Sequence, residues 1–520
     1  MTASPMLDRL LVCAASALIL AAGVVPALPA RAMLPAEPPA KAEGDEKKDD
    51  KKKNEPVVTK HSVTINGEKI EYTATAGLMP QLDDNLKTKA NIFYVAYTKD
   101  GADPGSRPLL FSFNGGPGSS SVWLHMGTLG PRRVLMGDDG EALPPPGRLE
   151  DNAYSWLDIA DLVFIDPVST GFSRAAEGED AKQFHGLDED IQSVANFIRL
   201  YTTRNSRWYS PKFIIGESYG GTRAAGLSSY LQDSLGMYLN GVILVSPAVD
   251  FATLRFDDNN DLPYWVYLPT YTASAWYHKK LPPDLQADQQ KALREAEQFA
   301  STDYLVALGR GSRLTDPERD AIATRIARLT GLSKEFVLRS NLRINIQSFC
   351  KELLRDQART VGRFDSRYKG IDRNSVGNNP DYDPSYTVIQ GAYTAGFNEY
   401  IRTELKYESD QNYEILTGRV NPWNFGSQRN KYPATSEPLR SAMTKNPSLK
   451  VFFAGGYYDL AVPYFATQYI ADHLMVDASL AANISSAWYQ GGHMYYLRLE
   501  DLKRFKEDGA AFIKSALPSR

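Results

Sequence analysis

Cysteine is nearly absent from this chain: there are two in 520 residues, Cys13 and Cys350. Cys13 lies in an N-terminal stretch that reads as cleaved, and the one thiol left excludes an intramolecular disulfide. Histidine is sparse as well. The six residues are scattered and form no His-x-x-x-His pair, so no metal site is expected and no cofactor is called for. Basic residues are not in excess, with 58 Lys and Arg against 62 Asp and Glu, a net charge of −4. Nothing in that balance points to nucleic acid as a partner. There is no internal repeat. The uncharged apolar stretch at residues 10–25 falls short of the roughly 20 residues a bilayer span needs.

That stretch follows Arg9 and precedes Ala30-Arg31-Ala32, the layout of a secretory signal with an A-x-A cleavage site. Residues 1–32 are therefore expected to be removed, leaving no stable membrane span. Residues 33–56 are dominated by Pro, Ala, Glu, Asp and Lys and cannot bury enough apolar surface to offset their ordering entropy, so a disordered charged linker is expected. The remainder is a globular chain. At 43% hydrophobic and 23% charged, the composition supports a substantial core.

Order is expected from about Val57. Asn66-Gly67 between two alternating runs predicts a hairpin, because both residues accept the positive φ of a type I′ turn. Short apolar runs at 91–98, 108–113, 162–165, 212–215, 242–245, 450–454 and 486–489 read as strands. Helical spacing lies between several of them, at 188–201 and 499–516 among others. Strands alternating with helices predict an α/β class with a mostly parallel central sheet. Between 251 and 400 the pattern turns helical, and Thr315-Asp316-Pro317-Glu318 predicts a capped helix start. The expected division is a first core part at 57–250, a helical cap at 251–400 and a second core part at 401–520. Tyr264, Trp265, Tyr267, Tyr271, Trp276 and Tyr277 open the cap, with core packing favoured over a substrate cleft.

The stretch that carries chemistry is Gly216-Glu217-Ser218-Tyr219-Gly220, a Gly-x-Ser-x-Gly between a strand and a helix. A sharp strand-to-helix turn leaves no room for side chains at its glycines and presents the serine hydroxyl. A serine needs a base within reach, and the base needs a carboxylate to hold its tautomer. Ser218, Asp459 and His493 stand in the order Ser, acid, His, with the last two in loops after strands. Asp250 is a rival acid and His473 a rival base, although His473 falls in a helical pattern. His61 and His125 precede the nucleophile, and His185 and His278 read as loop or surface residues. One oxyanion donor is expected at the Tyr219 amide and another in Asn114-Gly115-Gly116-Pro117-Gly118, whose glycines allow close backbone approach. No Gly-Lys-Ser/Thr follows, so a phosphate loop is disfavoured.

Asn114-Gly115-Gly116-Pro117-Gly118 joins Asn152-Ala153-Tyr154-Ser155-Trp156, Phe164-Ile165-Asp166-Pro167-Val168 and Gly171-Phe172-Ser173. With Gly216-Glu217-Ser218-Tyr219-Gly220-Gly221 and Gly492-His493-Met494, the set resembles the serine carboxypeptidase family of α/β-hydrolases over about residues 91–515. The resemblance implies an α/β-hydrolase fold and hydrolysis of C-terminal peptide bonds through an acyl-enzyme on Ser218. It also implies peptide substrates with a free C-terminus, oxyanion amides from Gly116 and Tyr219, and a substrate-carboxylate site of Asn114, the Gly115 amide and Glu217. Two carboxyl groups in contact cannot both stay ionised, so Glu217 and the substrate are expected to share a proton.

The chain departs from the family at Ser119, where cysteine is usual, at Ser112, where tryptophan is usual, and at Thr128, where a second carboxylate-binding glutamate often stands. These leave the Ser-Asp-His set intact and weaken the case for carboxylate recognition, so an esterase or acyltransferase on the same residues is the alternative. A catalytically silent binding protein is a third reading. A signal with a disulfide-free body points to export across an inner membrane, into a bacterial periplasm or beyond.

Overall fold

The computed structural model describes residues 55–518. The expected signal and all but the last two residues of the expected linker lie outside them. Nine principal strands run β1 (Val57–Ile65), β2 (Glu68–Leu82), β3 (Thr88–Lys99), β4 (Leu109–Phe113), β5 (Asp161–Ile165), β6 (Lys212–Glu217), β7 (Gly241–Val245), β8 (Lys450–Gly456) and β9 (Ile484–Tyr489). They lie side by side as β1-β2-β3-β5-β4-β6-β7-β8-β9, with Arg174–Ala175 as a short tenth strand against β3. From β5 to β9 every neighbour is parallel, while β1, β2 and β3 extend the sheet antiparallel. The hairpin turns on Asn66 and Gly67 at φ of 52° and 80°, the positive values the Asn-Gly pair was expected to adopt.

The parallel strands β4 to β8 are buried on both faces, their side chains alternating between two cores, while the edge strand β9 is partly exposed. Leu110, Phe213, Ile215, Ile243 and Phe452 face one, which is covered by Pro384–Thr403 and Leu499–Ala516. Phe111, Ile214, Leu244, Val451 and Phe453 face the other, which is covered by α1 (Leu187–Arg204) and α2 (Tyr219–Leu235). The helices between β7 and β8 build a third core around Tyr271, Phe299, Ile326 and Phe349. The helix Asp316–Thr330 starts with the predicted capping box of Thr315 and Glu318. The helix Pro384–Thr403 belongs instead to the sheet core, through Ile389, Tyr393, Phe397 and Tyr400. Among the described residues no helix is long and apolar enough to cross a membrane.

One buried ion pair ties the sheet to the loop after β4. Arg223 of α2 donates Nε to Asp190 of α1 at 2.7 Å and a terminal N–H to the Asn114 carbonyl at 2.7 Å. Both side chains are almost fully buried. Removing one partner of such a pair strands the other charge. Asp190→Ala is therefore expected to lose about 3–5 kcal/mol of stability in urea unfolding, whereas a double Asp190→Leu/Arg223→Met variant recovers most of it. Equal losses in the two variants would show that packing, and not charge pairing, joins these helices.

Candidate active site

Ser218 sits between β6 and α2 at φ 59° and ψ −125°, a conformation that costs a non-glycine residue about 1–3 kcal/mol. Its surroundings impose that geometry. The Ser218 N–H donates to Val245 O at 3.0 Å, and its carbonyl accepts from Gly221 N at 2.8 Å and Ala248 N at 3.0 Å. A Cβ on Gly216 would come within 2.1 Å of Gly220 O. One on Gly115 would come within 2.4 Å of Tyr219 N, so the loop after β4 presses directly on the turn. Ser218 lines a cavity of about 420 Å³, whose wall also includes Gly115, Gly116, Glu217, Tyr219 and His493. No backbone carbonyl takes up the amide of Gly116 or Tyr219.

His493 follows β9 and Asp459 follows β8, and sheet order makes those strands neighbours. His493 Nδ1 lies 2.7 Å from Asp459 Oδ2. The other oxygen, Oδ1, accepts from Ala461 N at 2.7 Å and Val462 N at 2.9 Å. The His493 backbone is pinned at both ends: its N–H donates to Phe364 O at 2.6 Å, and its carbonyl accepts from Ser246 Oγ at 2.9 Å. Burial works against a charged imidazole here. The charge and hydrogen bond of Asp459 outweigh it, with a smaller push from Glu217, and raise the His493 pKa above its ordinary value.

The rival residues are engaged elsewhere. Asp250 caps the short helical turn after β7, accepting from Ala252 N at 2.9 Å. His473 is exposed, with Nδ1 2.7 Å from Tyr469 O. His125 is buried against Phe164 and Tyr97, and burial lowers its pKa to about 3. His61 lies on β1. His278 is half-buried, 2.6 Å from Ser366 O. His185 lies in a loop, as one half of its reading has it, but it is not a surface residue: it is buried, with Nε2 2.8 Å from Ser169 Oγ. Of the six aromatic residues that open the helical segment, Tyr267 alone lines the cavity among those described.

Glu217 is buried beside the catalytic candidates, and burial pushes its carboxyl up to about 7. His493 and a hydrogen bond from the Tyr496 hydroxyl at 2.5 Å pull in the other direction. Asn114 Oδ1 accepts from Leu124 N at 3.1 Å. Its Nδ2 lies near enough to Glu217 to favour the charge, yet falls outside hydrogen-bond geometry and has no partner. Thr128 is fully buried with its hydroxyl unpartnered and is not on the cavity wall. Ser112 is likewise buried within β4 with an unpartnered hydroxyl. Ser119, where the family usually has cysteine, is held by hydrogen bonds. It accepts from Trp123 Nε1 at 2.8 Å, donates to Ile415 O at 3.1 Å and bridges to Leu416.

Residues 364–365 and Tyr496 were not anticipated. Phe364 stacks on His493 with ring centroids 5.1 Å apart, and Asp365 accepts from Gly492 N at 2.9 Å while paired with buried Arg367.

The serine carboxypeptidase family model matches residues 67–500. The chain belongs to the serine carboxypeptidase family. Serine carboxypeptidase-like 27 of Arabidopsis thaliana is 25% identical over 414 residues, covering 78% of this chain and 76% of that one. Serine carboxypeptidase-like 19 of the same plant is 29% identical over 174 residues, which is 31% of this chain and 35% of that one. With several such relatives the chain aligns over only about a third of their length. Kex1(delta)p, a prohormone-processing carboxypeptidase from Saccharomyces cerevisiae, shares the α/β-hydrolase fold at a TM-score of 0.54 and 17% identity, covering 85% of this chain and 91% of that one.

The raised carboxyl of Glu217 has a consequence for stability. Folding lifts its pKa from an ordinary 4.5 to about 7, so between those values the folded state holds more protons than the unfolded. That stability is present below about 4.5 and lost as pH rises through about 7. Glu217→Gln keeps an acceptor for Tyr496 and removes the titration. Relative to the wild type the variant should gain up to about 3 kcal/mol between pH 4 and pH 8, read from urea unfolding at both. A constant difference at the two pH values would show that Glu217 titrates normally.

Proposed function

We propose that this protein is a serine-type carboxypeptidase that removes the C-terminal residue of peptides through an acyl-enzyme. The observation that carries the reading is that His493, hydrogen-bonded to Asp459 behind it, lines the same cavity as a backbone-strained Ser218. In this reading His493 takes the Ser218 proton as the hydroxyl attacks the scissile carbonyl. Asp459 fixes the tautomer and stabilises the imidazolium that results. The free amides of Gly116 and Tyr219 receive the oxyanion. His493 then returns the proton to the leaving amine, and water repeats the sequence to release the acyl group.

The leaving residue carries a free carboxylate, and the proposed site for it is Glu217, Asn114 and the Gly115 amide. A carboxyl with a pKa near 7 can hold the one proton that lets it face a carboxylate, and Asn114 Nδ2 is a buried donor still without an acceptor. With Thr128 off the cavity wall, one acid performs this role. Weaker carboxylate recognition is what favours the second reading, an esterase or acyltransferase on the same three residues.

The segment 251–400 is proposed as a cap, since Leu254, Arg255, Ile346 and Phe364 bring it onto the cavity wall. Residues 1–32 are proposed as an export signal and 33–56 as a tether, which places the enzyme in a bacterial periplasm or outside the cell. Cys350, buried and free, fits a body that does not depend on disulfides.

Ser218→Ala should abolish turnover with the fold retained, and a fluorophosphonate should label Ser218 alone. Asp459→Asn should lower kcat by about 10³–10⁴-fold, with Asp250→Asn close to wild type. Labelling at another serine would remove the assignment.

Productive free enzyme needs His493 neutral and Glu217 protonated, so kcat/KM for a blocked dipeptide should be bell-shaped in pH. Its two limbs belong to the coupled pair. Glu217→Gln takes away a charge that raises the His493 pKa. The acidic limb should therefore move to lower pH and the alkaline limb should fade. An unaltered profile, with equal rates on the free acid and its C-terminal amide, favours the esterase.

A further inference from the structure

The catalytic cavity carries two guanidinium groups, Arg255 and Arg363, and its one carboxyl group is Glu217. Arg363 reaches a single acid, Asp383, at the 4.0 Å limit of an ion pair. Arg255 forms no ion pair among the described residues. Its guanidinium lies over the Phe251 ring, 5.7 Å from the centroid, and Phe251 in turn meets Phe425 edge-on at 5.8 Å. Arg255 is also the residue through which the catalytic cavity meets a second one of about 460 Å³. That second cavity adds Arg429 and Lys431, both exposed and both without an ion-pair partner among the described residues, against one acid, Asp257. A protein of net charge −4 thus gathers four cations, Arg255, Arg363, Arg429 and Lys431, on the walls of two cavities that share Arg255. Cations outnumber the carboxyl groups of Glu217 and Asp257 on these walls, and such an excess of one sign in a cleft attracts the opposite charge.

We propose that these walls form an acyl-side binding groove selective for peptides with aspartate or glutamate upstream of the scissile bond. The assignment of side rests on the carboxypeptidase reading. An enzyme that removes one residue has one residue on the leaving side, and that residue ends in the carboxylate held at buried Glu217. Chain that continues outward past Arg255 is therefore acyl-side chain. Phe251 and Phe425 give it an apolar floor, while Arg255, Arg429 and Lys431 meet acidic side chains above that floor. Lysine or arginine at the same positions meets like charge.

The test reads binding without turnover, on the full chain carrying Ser218→Ala. Fluorescein-labelled hexapeptides share one C-terminal residue and differ at two upstream positions, as Glu, Gln or Lys. By anisotropy at low salt the Glu peptide should bind about tenfold more tightly than the Lys peptide, with Gln between them. The ratio should fall to about two or less in 0.5 M NaCl, as screening requires, and also in an Arg429→Gln/Lys431→Gln variant. Circular dichroism on each variant confirms that it is folded. Equal affinities for the Glu and Lys peptides would overturn the proposal. So would a loss in Arg255→Gln of discrimination between free-acid and amidated C-termini with the upstream preference intact, because Arg255 would then be holding the terminal carboxylate. Since no hydrolysis is read, failure of the carboxypeptidase reading leaves the ratio standing, and failure of the ratio leaves that reading standing.

Discussion

The backbone of Ser218 is held where an isolated chain would not leave it, and the rest of the site depends on that constraint. A positive φ at a non-glycine residue persists only when its surroundings over-determine it. Here the exit of β7 supplies most of the hold. Val245 accepts the Ser218 N–H, and Ala248 donates to the Ser218 carbonyl. Between them Ser246 donates its hydroxyl to the carbonyl of His493. Three residues at the end of β7 and just beyond it, Val245, Ser246 and Ala248, thus hold Ser218 and His493 in a common frame, and a shift of β7 would move both together.

A second frame comes from the segment inserted between β7 and β8. Phe364 accepts from the His493 N–H and stacks on the imidazole, Asp365 accepts from Gly492 N, and the Arg363 carbonyl accepts from Leu460 N. The loops bearing His493 and Asp459 are thereby tied to the insertion as well as to the sheet. Gly492 leaves room for this, since a Cβ there would come within 2.3 Å of Phe364 O. The insertion is therefore part of what positions His493, in addition to forming cavity wall.

Charge in the site is balanced among Glu217, His493 and Asp459. Burial raises Glu217, while Glu217 and Asp459 together raise His493. The protonation of Glu217 and that of His493 therefore belong to one coupled system. The Tyr496 hydroxyl adds a neutral donor to Glu217, in a site where Thr128 brings no second acid.

Sequence alone determined the features whose physics is local. Asn66-Gly67 fixed a hairpin because few residues tolerate its φ values. The glycines around Ser218 marked a turn too tight for side chains, and apolar runs marked strands buried on both faces. Chain order narrowed the candidates to Ser218 with Asp459 or its rival Asp250 and His493 or its rival His473. Tertiary structure decided what depends on which strands become neighbours. Asp459 and His493 meet because β8 and β9 lie side by side, a pairing set by how the whole sheet buries its apolar faces. Phe364, Asp365 and Tyr496 carried no local pattern of their own. Their roles arise from hydrogen bonds across as many as 279 residues, as between Tyr496 and Glu217, and such contacts exist only once both cores have closed on the sheet. His185 is the same lesson in reverse: its neighbours in sequence looked like loop, and its neighbours in space bury it.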